Sequence, residues 1–143
     1  MSLLNEFNSA SPPSNTSGAV NKPLLPTRRV ISSLNGPRTM TIDSTSNKVQ
    51  LEVVVGWEAT FGVPIVEFSI LRDDPNTGTV IFTTLERGDF ILNQFITTSF
   101  EHVDLPGETG DVLYYLEARV VSGGTATVIG PVTFSGTEIL PNP

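Results

Sequence analysis

Between residues 48 and 61 the chain alternates with a period of two. Val49, Leu51, Val53, Val55 and Trp57 fall on one side, and Gln50, Glu52, Val54, Gly56 and Glu58 on the other. Successive side chains point to opposite faces only in an extended strand, so the first set is predicted to be core, with Trp57 its largest piece. The same period recurs in short runs bounded by turn residues, and helical spacing is nearly absent. The chain is predicted to be all-β: an antiparallel two-sheet, jelly-roll-like sandwich of about eight strands.

The runs fall at residues 28–34, 38–43, 48–61, 65–73, 79–85, 90–102, 111–121 and 125–137. Asn35-Gly36-Pro37 and Asp73-Asp74-Pro75-Asn76-Thr77-Gly78 carry turn chemistry between them. Ser122-Gly123-Gly124 predicts a tight hairpin between the last two runs. A change of facing around Thr97-Thr98 predicts a bulge or bend. Residues 112–121 are apolar on both faces, which marks a central strand, and Pro141 ends the last ladder.

Residues 1–27 do not share this pattern. They form a polar, proline-punctuated leader with an apolar tip at Leu3, Leu4 and Phe7. The predicted division is an extended arm over 1–27 and a β-sandwich over 28–143. Such a leader buries too little apolar surface to offset its ordering entropy, so it is expected to gain order from a second copy of the chain. Fully extended, 27 residues reach up to ~90 Å, against a body diameter of about 35 Å. The expected anchors are Leu3, Leu4 and Phe7, with Val20, Leu24 and Leu25 as a second contact set on the neighbour. Burial would contribute roughly 1.5–3 kcal/mol for each large side chain at the tip.

Charge and composition narrow the function classes. A net charge of −7 disfavours nucleic acid and anionic membranes as partners. The absence of cysteine excludes disulfides, thiolate metal sites and a Cys nucleophile. No stretch approaches the ~18 apolar residues of a membrane span. No Lys or Arg precedes Lys22, and the leader has no signal-like apolar run, so synthesis without a signal peptide is expected.

Candidate chemistry is sparse. His102 is the only histidine, and with Asp104 nearby it reads as a strand-end residue more readily than as a general base. Asp73, Asp74 and Asn76 would suit calcium, but a plain turn needs the same residues. Glu52, Glu58, Glu67 and Glu117 alternate with core positions and are expected on solvated faces, which disfavours a glycosidase pair. Phosphate-cradling glycine motifs and nucleophile elbows are absent. No cofactor, metal or catalytic residue is expected, and the chain is not expected to be an enzyme. Tyr115 and Phe61 are the aromatics that would serve a sugar-stacking surface.

The segments Val53-Val54-Val55-Gly56-Trp57, Phe68-Ser69-Ile70-Leu71-Arg72-Asp73 and Gly130-Pro131-Val132-Thr133-Phe134-Ser135-Gly136-Thr137 carry a family likeness, as do Thr98-Ser99-Phe100 with Val103-Asp104 and Tyr114-Tyr115-Leu116. Over about residues 49–139 the chain resembles spore-surface proteins of Bacillus-type bacteria. It is most similar to the exosporium protein C-type family, and more loosely to endospore appendage subunits. The resemblance implies a jelly-roll subunit on the spore exterior (exosporium or appendage) with an N-terminal connector reaching into the next protomer. Proteins of that layer are made in the mother cell, which accords with the missing signal. The appendage subunits carry cysteines in the connector; this chain has none, so its linkage would be non-covalent.

The expectation is a self-assembling structural subunit of a spore-surface layer or fibre. Its partners would be copies of itself, head to tail, and other spore-surface proteins. The alternative is a carbohydrate- or protein-binding sandwich at a cell or spore surface.

Overall fold

The computed structural model describes residues 3–11, 15, 18–88 and 94–141. Its strands are β1 (Leu3–Ala10), β2 (Lys22–Pro23), β3 (Arg29–Leu34), β4 (Met40–Ile42), β5 (Lys48–Arg72), β6 (Thr79–Arg87), β7 (Gln94–Asp104), β8 (Gly110–Val112) and β9 (Tyr114–Leu140). A 3-10 turn at Gly36–Arg38 separates β3 from β4. All pairings among these strands are antiparallel.

Two very long strands organise the molecule. β5 and β9 pair along nearly their whole lengths, from Lys48↔Ile139 to Arg72↔Tyr114. The ribbon kinks midway, where the register shifts around Ala59–Val66. Gly62 and Gly123 sit there with φ of 69° and 90°, a region that side-chain-bearing residues rarely adopt. A Cβ on either glycine would overlap a carbonyl of the opposite strand.

Each half of the ribbon is the centre of one layer. The first layer runs β1, β9 (126–140), β5 (48–59), β7; the second runs β3, β9 (114–122), β5 (65–72), β6. The order is that of an eight-stranded jelly roll, with two successive strand pairs each fused into one bent strand. β4 and β8 pair separately.

The inner faces share one core. Val49, Leu51, Val53, Val55, Trp57 and Phe134 from one layer are buried in the same cluster as Val66, Phe68, Ile70 and Leu116 from the other. Phe68 and Phe82 of the second layer meet Phe100 of the first, with centroids 6.2 and 5.4 Å apart. The Trp57 indole donates to Thr98 Oγ1 at 2.9 Å, which satisfies its buried N–H.

Four expectations change. Ser122-Gly123-Gly124 is a bend within β9 and not a hairpin: its flanks both pair with β5, not with each other. Residues 48–61 and 65–73 likewise belong to one strand. β7 has no bulge at Thr97-Thr98; its register against β5 is unbroken from Gln94 to Asp104, with inward and outward positions alternating throughout. The first residues of the expected 90–102 strand lie outside the described residues. Finally, the leader is not separate from the body, because β1 is an outer strand of the first layer.

Candidate functional site: the leader on the edge of strand β9

With β5 on one side, β9 presents its other edge to the described residues between 3 and 34, whose strands all pair with it antiparallel. β1 pairs from Leu3↔Leu140 to Ala10↔Phe134. Asn15 then takes the place of a peptide unit: its Oδ1 accepts from the Val132 amide at 2.7 Å, and its Nδ2 donates to Thr133 Oγ1 at 3.1 Å. The Gly18 and Val20 amides both donate to the Ile129 carbonyl, at 2.9 and 3.0 Å. β2 pairs Lys22 with Val128, the Leu24 amide donates to Ala126 O, and the Val120 amide donates to Leu25 O. β3 completes the edge down to Leu34↔Tyr114.

This corrects the premise that the leader needs a neighbour to be ordered. A composition argument counts apolar side chains, but here the partners are the unpaired N–H and C=O groups of an edge strand, which any extended chain satisfies. Two side chains of β1 extend the grip. Glu6 Oε1 accepts from the Thr41 amide at 2.7 Å, and Asn8 Nδ2 donates to Thr39 O at 3.3 Å. Polar residues of a leader are easily passed over as solvation, and their two-residue spacing on one strand is the signal for both.

The six expected anchors do not form one surface. Leu3 and Leu4 take their register opposite Leu140 and Ile139, and their side chains lie outside the described residues. Phe7 points outward and is 65% exposed, and Leu25 is 48% exposed. Leu24 is only 7% exposed and sits in the chain's own core, with Val20 packed against the same cluster. Val20, Leu24 and Leu25 therefore do not form a free contact set for a neighbour, because two of them already fill the gap between the layers.

The other candidates are also placed. His102 stacks on Phe82 with centroids 5.0 Å apart. The Asp73–Gly78 turn folds back so that the Asn76 amide donates to Glu117 Oε2 at 2.7 Å. Glu117 is fully buried, contrary to the expected solvated position, because that turn covers its face of the sheet. Glu67 accepts from Arg119 at 3.0 Å and lies 3.4 Å from Arg28. Burial alone would raise its pKa, but the two guanidiniums outweigh this and hold the carboxyl below its usual range. Among the described residues no three His, Cys, Asp or Glu side chains converge as metal ligands.

Phe61 is exposed at the bend opposite Thr125, whereas Tyr115 is half-buried near the other end of β9. The bend at Ser122-Gly123-Gly124 lies between their positions on β9, so the two do not stand on one continuous straight strand.

No protein-family model matches the chain, and no curated protein matches it. Among solved structures, an arabinose-bound MgGH51 α-L-arabinofuranosidase aligns with a TM-score of 0.46 and 11% identity, covering 96% of this chain and 23% of that one. The structure of infectious bursal disease virus, Gx strain, aligns with a TM-score of 0.45 and 11% identity, covering 96% of this chain and 32% of that one. The chain thus spans less than a third of the length of either.

Proposed function

We propose that this chain is a non-enzymatic structural subunit that assembles with copies of itself by exchanging its N-terminal strand. β1 of one copy lies on the β9 edge of the next, in the register it adopts on its own. The observation that carries this reading is the position of β1. Among the described residues it is the first strand, it is outermost in its layer, and it pairs with β9 alone.

The stretch that joins β1 to β2 contains Pro12 and Pro13, which cannot donate to a ladder. An edge strand tethered in this way makes the same contacts whether its own chain or a neighbour supplies it, which makes exchange a low-cost route to association. Each copy then gives one strand and receives one. The result is an open head-to-tail series where the rotation does not close. With no cysteines to lock the connector, the series is non-covalent. The sequence resemblance adds the setting, a layer or fibre of the spore exterior.

The missing cysteines also provide the test. Ser9 lies opposite Ser135 in the β1–β9 register. A Ser9→Cys, Ser135→Cys double variant, oxidised after assembly, links whichever chains are paired. A ladder of covalent oligomers on a non-reducing gel is the expected result. Oxidised protein that runs only as an internally closed monomer would overturn the proposal.

A further inference from the structure

Between the leader and β3 the layers leave a cavity of about 280 Å³, with walls from both and a floor from β9. Its apolar part is made by Val20, Ile31, Val128 and Val132. Ser32 and Ser33 add hydroxyl groups, and Lys22 and Arg38 bring two cations to the same space. Among the described residues no carboxylate lines it.

The charge balance there is unusual for this chain. Residues 1–40 hold four of the eight Lys and Arg but one of the fifteen Asp and Glu. The Lys22 ammonium donates to the Val30 carbonyl at 2.7 Å, and no ion pair reaches it or Arg38 among the described residues. Burial, and secondarily the nearby Arg29, push the Lys22 pKa down, as expected for a cation lacking a counter-charge.

We infer that this cavity is a binding site for a small amphipathic carboxylate, whose acid group bridges Lys22 and Arg38 while a short apolar body lies against Val20, Ile31, Val128 and Val132. The volume is at the low end for ligand pockets, which favours a body smaller than a drug-sized molecule. Specificity for the anion follows from the two unneutralised cations, which a neutral ligand of the same shape leaves unneutralised. The Ser32 hydroxyl adds a further polar group there, whereas the Ser33 hydroxyl already donates to Asn35 Oδ1 at 3.1 Å. The site goes beyond the assembly reading, because its walls are present whether the leader is the chain's own or a neighbour's.

Full-length protein labelled with ¹⁵N is titrated with octanoate and with benzoate, and separately with 1-octanol. The expected result is saturable shifts of the Val20, Ser32, Ser33 and Val128 amides with the carboxylates, and at least tenfold weaker binding of the alcohol. Lys22→Met and Arg38→Gln should each weaken octanoate about tenfold or more. Arg38 is exposed on the 3-10 turn, so its variant keeps the test intact if Lys22→Met does not fold. The absence of saturable shifts up to about 10 mM, or equal affinity for octanol and octanoate, would overturn the site. Neither result bears on the Ser9–Ser135 cross-link, which reports chain connectivity alone.

Discussion

One terminal nitrogen of Arg72 donates to both carboxylate oxygens of Asp104, at 2.8 and 2.9 Å. Arg72 ends β5 in the second layer and Asp104 ends β7 in the first, so the pair ties the layers at one end of the sandwich. The Tyr114 phenol donates to the same carboxylate at 2.7 Å. Asp104→Ala would leave a guanidinium and a fully buried phenol without their partner. A loss of about 3–5 kcal/mol is expected, as for a broken buried pair, measured by urea unfolding. A loss below about 1 kcal/mol would mean that the pair behaves as a surface contact.

The same cluster sets the alkaline limb of stability. Burial, then the charge of Asp104, raises the Tyr114 pKa well above its usual value. Its folded pKa lies above its unfolded one, so its contribution is complete below about pH 10. It is lost as pH rises further, because the unfolded phenol ionises first. Tyr114→Phe should flatten the fall in stability above that pH, although it also removes a hydrogen bond. Glu67 governs the acid side with the opposite sign: its depressed pKa gives stability that is complete above about pH 4.3 and lost as pH falls through the folded value. Thermal melts of Glu67→Gln against pH should show a shallower acid limb than the wild type.

The bend in the β5–β9 ribbon accounts for the main misreading of the sequence. Ser122-Gly123-Gly124 carries the residues of a hairpin, yet Gly124 stands opposite Gly62 on β5. Local turn chemistry shows where a chain departs from straight extension, and the strand partner decides whether it reverses or bends. Gly123→Ala tests this. Its φ of 90° and the Val63 carbonyl facing it leave no room for a methyl group. The left-handed conformation alone costs roughly 1–2 kcal/mol for a residue with a side chain. The expected loss is larger than that, read as a drop in melting temperature.

Core and face were legible wherever the period of two was unbroken. Val49 through Trp57 are buried as alternation requires, and the Asp73–Gly78 turn and the stop at Pro141 fall where their residues place them. Glu117 was illegible because the turn that covers it lies some forty residues away in sequence. The leader was illegible for a different reason. Its main partner is a row of backbone groups on β9, which carry no sequence signature; among the described residues Glu6, Asn8 and Asn15 record the docking in polar side-chain contacts, and Ala10, Val20 and Leu24 in apolar ones too few to stand out from a polar leader.

The exposed Phe7 separates folding from assembly. With its ring mostly in solvent, Phe7→Ser should change monomer stability by no more than about 0.5 kcal/mol. In an assembled series the outer face of β1 lies near the junction between copies, so the same variant should raise the concentration needed for association. Light scattering across a dilution series measures this. An unchanged association profile would place Phe7 outside the contact.

Removing residues 2–20 probes how firmly the leader is held. Each ladder hydrogen bond contributes about 1 kcal/mol net, while ordering each residue costs about 1–2 kcal/mol. The two nearly cancel for a strand whose outward side chains stay wet. The truncated chain should therefore remain folded, with a stability loss of only about 2 kcal/mol or less, and its β9 edge should be open from Ile129 to Leu140. It should fail to assemble by itself, yet bind a synthetic peptide of residues 1–20, restoring the lost stability in proportion to the logarithm of peptide concentration. A truncated chain that ignores the peptide, or that still polymerises as the full chain does, would show that the β9 edge does not accept a strand in trans.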